Sequence, residues 1–194
     1  MADVTNNYLE SAIRQFEYYR MLGEKTFAQL TDGQLFWEYT EGSNSIAVVV
    51  KHLSGNMLSR WTDFLTSDGE KEWRDRDAEF RNDIKTRQEM VELWGKGWDC
   101  LLKALRSLTA EDLDKIVYIR NEGHTVMEAI NRQLAHYPYH IGQIVLIGKM
   151  LTGDGWSSLS VPRGNSKEFN EARFSKPRRK GHFTDDYLTD NTRK

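Results

Sequence analysis

The sequence predicts an all-α protein, an antiparallel four-helix bundle, on three observations. Four long stretches place apolar residues at steps of three and four, which puts them on one face of a helix. Only one short segment alternates in the manner of strands. A hydrophobic share of 39% against 29% charged residues, spread over 194 residues, is enough for one well-filled core.

The first helix is expected from Val4 to Leu30, with Tyr8, Ala12, Phe16, Tyr19, Gly23, Phe27 and Leu30 along its buried face. Thr31-Asp32-Gly33 stops it, and a loop carrying Leu35, Phe36 and Trp37 leads to EGSNS. There Ser43, Asn44 or Ser45 can accept a free backbone N–H and cap the next helix. That second helix runs to about Thr66 and buries Ile46, Val49, Val50, Leu53, Met57, Trp61 and Phe64. After the charged connection SDGEKEWRDRDAE, a third helix is expected from about Glu79 to Leu108, marked by Phe80, Ile84, Val91, Trp94, Trp98, Leu101, Leu102 and Leu105. KIVYIRNEGHT alternates around a glycine-containing turn and reads as a short hairpin. Thr125 with Glu128 then fits a capping box that opens the fourth and longest helix, to Leu151, with Pro138 inside it.

Residues 1–162 are expected to form the bundle and 163–194 an irregular, flexible, polar tail. The formal charge of −2 divides unevenly: residues 1–162 hold 18 Lys+Arg against 24 Asp+Glu, and the remainder 9 against 5. The basic run KPRRK at 176–180 has no interleaved aromatics and no recognition helix, which argues against nucleic acid as a partner. No stretch has the length and apolarity of a membrane span and the N-terminus lacks a signal layout, so the expected location is the cytoplasm. Cys100 is the single cysteine, which removes internal disulfides and cysteine-built zinc sites. Beside Trp98 and Leu101 it reads as a small buried hydrophobe.

Any metal must therefore rely on histidine or carboxylate, and the fourth helix carries His136 and His140 four residues apart. One turn separates them, so both imidazoles leave the same side. At 100° per residue they lie about 80–120° from a core face centred near Ile130, Leu134, Tyr137, Ile141 and Gly148. His52 stands about 120° from the centre of its own helix's apolar face, in a stripe with Ser45, Asn56, Ser59 and Asp63. If the two flanks meet, three neutral imidazoles can ligate one divalent ion and leave a position for water or substrate. A solvated histidine pair and an unrelated polar flank residue fit the same spacing. Asn56, Gln133 and Gln143 share the histidine side and can orient a ligand or a bound water. Arg132 can meet an acidic substrate or a surface carboxylate. His124 reads as a loop residue and His182 as part of the tail.

The pairing of SIAVVVKHLSGNMLSRWTDFL with EAINRQLAHYPYHIGQIVLIGKML resembles the DinB-like, or YfiT-like, superfamily of bacterial four-helix-bundle proteins over most of residues 4–152, with HYPYHIGQIV its specific stretch. The ending SLSVPRGNSKEFN is similar to that of a subgroup known only as a domain of unknown function. The resemblance implies a divalent ion, often nickel or zinc, on one histidine of the second helix and an H-x3-H pair of the fourth, and it implies homodimers. The matching positions are His52, His136 and His140. Characterised members of that superfamily include thiol-dependent S-transferases and isomerases, and others are described as hydrolases.

The expected function is a metal-dependent enzyme of stress or detoxification type, acting on a small molecule, in which zinc or nickel activates a low-molecular-weight thiol for S-transfer. A hydrolase at the same site, or a non-catalytic metal-binding or dimerisation module, is the alternative. No side chain is assigned as catalytic, that role falling to a metal-bound water or thiol. Thiol chemistry is preferred because no carboxylate base is evident near the histidines.

Overall fold

The computed structural model describes residues 2–188 and is mainly helical, with six α-helices and one two-stranded sheet among those residues. The four long helices are α1 (Ala2–Phe27), α3 (Ile46–Trp61), α4 (Arg87–Ser107) and α5 (Val126–Thr152). Helix α1 packs along α5 and α3 along α4, and α3 also touches α5. A one-turn helix α2 (Asp32–Leu35) stands where a loop was expected, because it buries Leu35 completely.

The expected hairpin forms: β1 (Ile116–Ile119) pairs antiparallel with β2 (Glu122–Thr125), turning through Arg120 and Asn121 at positive φ. Thr125 and Glu128 make the reciprocal capping box at the start of α5, and the helix runs on through Pro138. No helix among the described residues is long and apolar enough to cross a membrane.

Three expected boundaries need correction. Helix α3 stops at Trp61, where Asp63 takes a left-handed φ of 49° and its carbonyl accepts the backbone N–H of Thr66 and Ser67. Helix α4 begins only at Arg87, capped by Thr86, so Glu79, Phe80 and Ile84 precede it and Ala78–Phe80 forms a separate 3-10 turn. The segment after 162 is not wholly irregular either. It contains α6 (Ser166–Phe174), and residues 182–188 dock on α1. There Thr184 and Leu188 are buried, Arg14 pairs with Asp185, and Tyr18 meets the rings of Phe183 and Tyr187 at 5.5 and 5.2 Å. KPRRK is exposed between these two pieces, and residues 189–194 of the tail lie outside the described residues.

The core fixes how the helices meet. Phe16, Trp98 and Tyr137, each fully buried, bring α1, α4 and α5 to one junction with ring centroids 5.8–6.5 Å apart. Tyr137 also ties α5 to α3, because its hydroxyl accepts from Trp61 Nε1 and donates to Asn56 Oδ1, both at 3.0 Å. These two bonds set the register between the helix bearing His52 and the one bearing His136 and His140.

Close approach of α4 to α3 needs Gly97, since a Cβ there would lie 2.9 Å from Ser54 Cα. Gly97→Ala is expected to lower stability by about 1–3 kcal/mol, the range for overpacking a filled interior, although alanine is the better helix former. Urea denaturation checks this, and a variant as stable as the parent would refute the close packing.

Candidate metal centre

Ser45 caps α3 by accepting the backbone N–H of Val48, and His52 follows two turns later. It is 4% exposed, more deeply placed than a polar flank residue would be. His136 and His140 leave α5 half-buried, one turn apart. The three rings converge: His136 Nε2 lies 3.4 Å from His52 Nε2 and 3.1 Å from His140 Nε2. Within this set one ligand nitrogen from each ring lies within 4.8 Å of the others, so the three histidines could hold a metal ion.

The spacing suits such an ion. Zinc–nitrogen bonds of about 2.0–2.1 Å at tetrahedral angles separate ligand nitrogens by about 3.3 Å. Each remaining ring nitrogen faces an acceptor. His52 Nδ1 donates to Glu79 Oε2 at 2.9 Å, His136 Nδ1 to Gln133 Oε1 at 3.2 Å, and His140 Nδ1 to Gln143 Oε1 at 3.3 Å. Hydrogens held on Nδ1 turn the three Nε2 lone pairs toward one another, an arrangement that a cation relieves. Burial, reinforced by His140 and His52, pushes His136 down to about 3, and burial likewise lowers His140. Both rings are thus neutral near pH 7, the form that ligates.

Glu79 comes from the charged connection rather than from a long helix. Burial alone would raise its pKa, but hydrogen bonds from His52 and Arg74 outweigh that and hold the carboxyl below the usual range. Arg74 grips it from both sides, Nε to Oε1 at 2.7 Å and one terminal nitrogen to Oε2 at 3.0 Å. The pair is buried, and Arg74 reaches Glu70 as well. Phe80, next in the chain, stacks on the His52 ring at 4.7 Å and 28°.

A family model described as a protein of unknown function (DUF1572) matches residues 3–165. The chain belongs to this family. No curated protein and no solved structure matches it. The DUF1572 match takes in the four long helices, the hairpin and all three histidines, and it ends before α6.

Within this DUF1572 chain, Gln133 and Gln143 reach the imidazoles they were expected to orient. Asn56 does not: its oxygen is engaged by Tyr137, though it lines the same cavity as the histidines. Arg132 lines that cavity too and makes no surface ion pair among the described residues. His124 sits in β2, and His182 Nε2 lies 3.1 Å from Ser11 on α1. Cys100 is only half-buried, 3.6 Å from Thr62 Oγ1, and lines a different cavity. Sequence reasoning missed Glu79, Arg74 and Phe80. The expectation of no nearby carboxylate is corrected by Glu79, which the 3-10 turn after the long connection carries against His52.

Proposed function

We propose that the chain is a metal-dependent enzyme in which His52, His136 and His140 hold a divalent ion, zinc or nickel, and that a low-molecular-weight thiol is activated there for S-transfer. The observation that carries the reading is the convergence of three Nε2 atoms whose Nδ1 partners are all engaged by oxygen. Three protein ligands leave a position free, the pattern of reactive rather than structural sites. When bound, such an ion favours the thiolate over the thiol and so generates a nucleophile near neutral pH. Under this reading the four long helices are a DinB-like bundle, residues 1–162 are its domain, and the working form is a homodimer.

The chain's own residues favour thiol over water as the group activated. An ion can ionise either group, but a thiol starts from a pKa of about 8.5 and needs less help, whereas metal-bound water gains more from a free base nearby. Glu79 is the carboxylate that touches a histidine, and both its oxygens are occupied by His52 and Arg74. It is held ionised and bonded, suited to fixing His52 rather than to accepting a proton.

Titrating the Co²⁺ form with 2-mercaptoethanol or cysteine tests this. A sulfur-to-cobalt charge-transfer band that saturates with thiol is expected. Hydrolysis of an activated ester without thiol, and no such band, would select the hydrolase. A fully coordinated ion that neither thiol nor ester perturbs would select a structural staple.

A further inference from the structure

The cavity beside the histidines is about 320 Å³, at the lower end of the range for small-molecule sites, and five arginines line it: Arg60, Arg74, Arg76, Arg120 and Arg132. Two carboxylates touch them. Glu70 receives Arg60, Arg74 and Arg120 at 3.1–3.2 Å, and Glu79 receives Arg74 at 2.7 Å. Arg60 and Arg74 are buried and brace the long connection, Arg60 also donating to the Gly69 carbonyl. These contacts account for three of the five guanidiniums.

Arg76 and Arg132 are different. Both are exposed, and among the described residues neither has a carboxylate partner. Arg132 precedes His136 by one helical turn, so it continues the stripe His136–His140 toward the start of α5. Arg76 lies over the Phe80 ring at 5.2 Å, and that ring stacks on His52. Two guanidiniums without a carboxylate partner among the described residues thereby line one small cavity, from α5 and from the connection before α4. A surplus of like charge around a confined space opposes folding and raises the local concentration of anions. The ring of Phe80 positions Arg76 but does not neutralise it, and Arg132 is exposed with no carboxylate partner among the described residues.

We propose that this cavity binds a small anionic molecule through a carboxylate or phosphate group held between Arg76 and Arg132, with the remainder of the ligand lying toward the histidines. The planar guanidinium matches either group with paired N–H donors. As a statement about the substrate, this rests on the metal-enzyme reading above. As a statement about binding, it stands on the arginines.

Calorimetric titration at low ionic strength, with inorganic phosphate, succinate and neutral dimethyl succinate as probes, tests it on metal-loaded and chelator-treated full-length protein. At least one anion is expected to saturate a single site, and dimethyl succinate is expected not to bind. The tighter of the two anions distinguishes phosphate from carboxylate. The double variant R76Q/R132Q is expected to weaken binding by about tenfold or more. R178Q/K180Q, which removes the same charge from the exposed tail, is expected to leave it unchanged. No saturable anion binding, or equal losses in the two double variants, would overturn the proposal. Arginine-dependent anion binding in a protein that takes up no metal would keep this proposal and reject the metal reading. Metal uptake without arginine-dependent anion binding would do the reverse.

Discussion

His52→Ala is expected to abolish stoichiometric metal uptake. The substitution leaves two ligands, His136 and His140, on one helix, and removes the only histidine that α3 contributes to the cluster. Loss of groups that merely orient ligands costs roughly 10–100-fold in metal affinity, so loss of a ligand should exceed that range. The protein should still fold, because Glu79 keeps both bonds to Arg74. Thermal unfolding separates the two effects. An ion at 100 times its Kd stabilises the native state by about 2.7 kcal/mol. That increment on adding metal should appear in the parent and vanish in the variant, whatever the metal-free variant loses with the buried contacts of His52 to Glu79 and Phe80. Metal content unchanged in His52→Ala would show that the ion sits elsewhere.

Glu79→Ala is the second substitution with a large expected effect, and it acts on stability and metal together. Arg74 is left with a buried guanidinium that has lost its closest carboxylate, and removing one member of a buried pair costs about 3–5 kcal/mol. The remaining contact to Glu70 should hold the loss toward the lower figure. His52 loses the acceptor on Nδ1, so metal affinity should fall roughly 10–100-fold. Gly55→Ala divides these consequences. A Cβ at Gly55 would meet Glu79 Oε1, the oxygen held by Arg74, and lie 2.7 Å from Glu79 Cδ, displacing the carboxylate from its place between Arg74 and His52 without removing its charge. Because the charge stays near Arg74, a smaller stability defect than that of Glu79→Ala, with a metal defect of similar size, is expected for Gly55→Ala, read by calorimetric metal titration and urea denaturation. A metal affinity equal to the parent's in both variants would show that Glu79 does not support His52.

The helix faces, the hairpin and the capping box at Thr125 were legible in the sequence because each rests on residues close together in the chain. The three histidines were legible as positions, through their angles from the apolar faces, but their meeting was not. That depends on Tyr137 bridging to Trp61 and Asn56 across two helices. Glu79 was hidden for a different reason. It lies among several acids in a connection without periodicity, and only the path of residues 62–86 brings it to His52. One local signal for that path existed. Thr86 and Glu89 form a Thr-x-x-Glu start, which would have placed the beginning of α4 after Ile84 and left Glu79 outside the helix. The docking of residues 182–188 was missed because Leu188 and the aromatic residues that reach Tyr18 fall in a short stretch without helical periodicity, just after the basic run at 176–180.

Anomalous diffraction at the metal absorption edge, on crystals of protein purified without added chelator, tests the central claim most directly. One peak is expected per chain, about 2.0–2.1 Å from Nε2 of His52, His136 and His140, with Nδ1 of His52 still on Glu79. A peak bonded to any Nδ1 instead, or a metal bound away from these three rings, would contradict it.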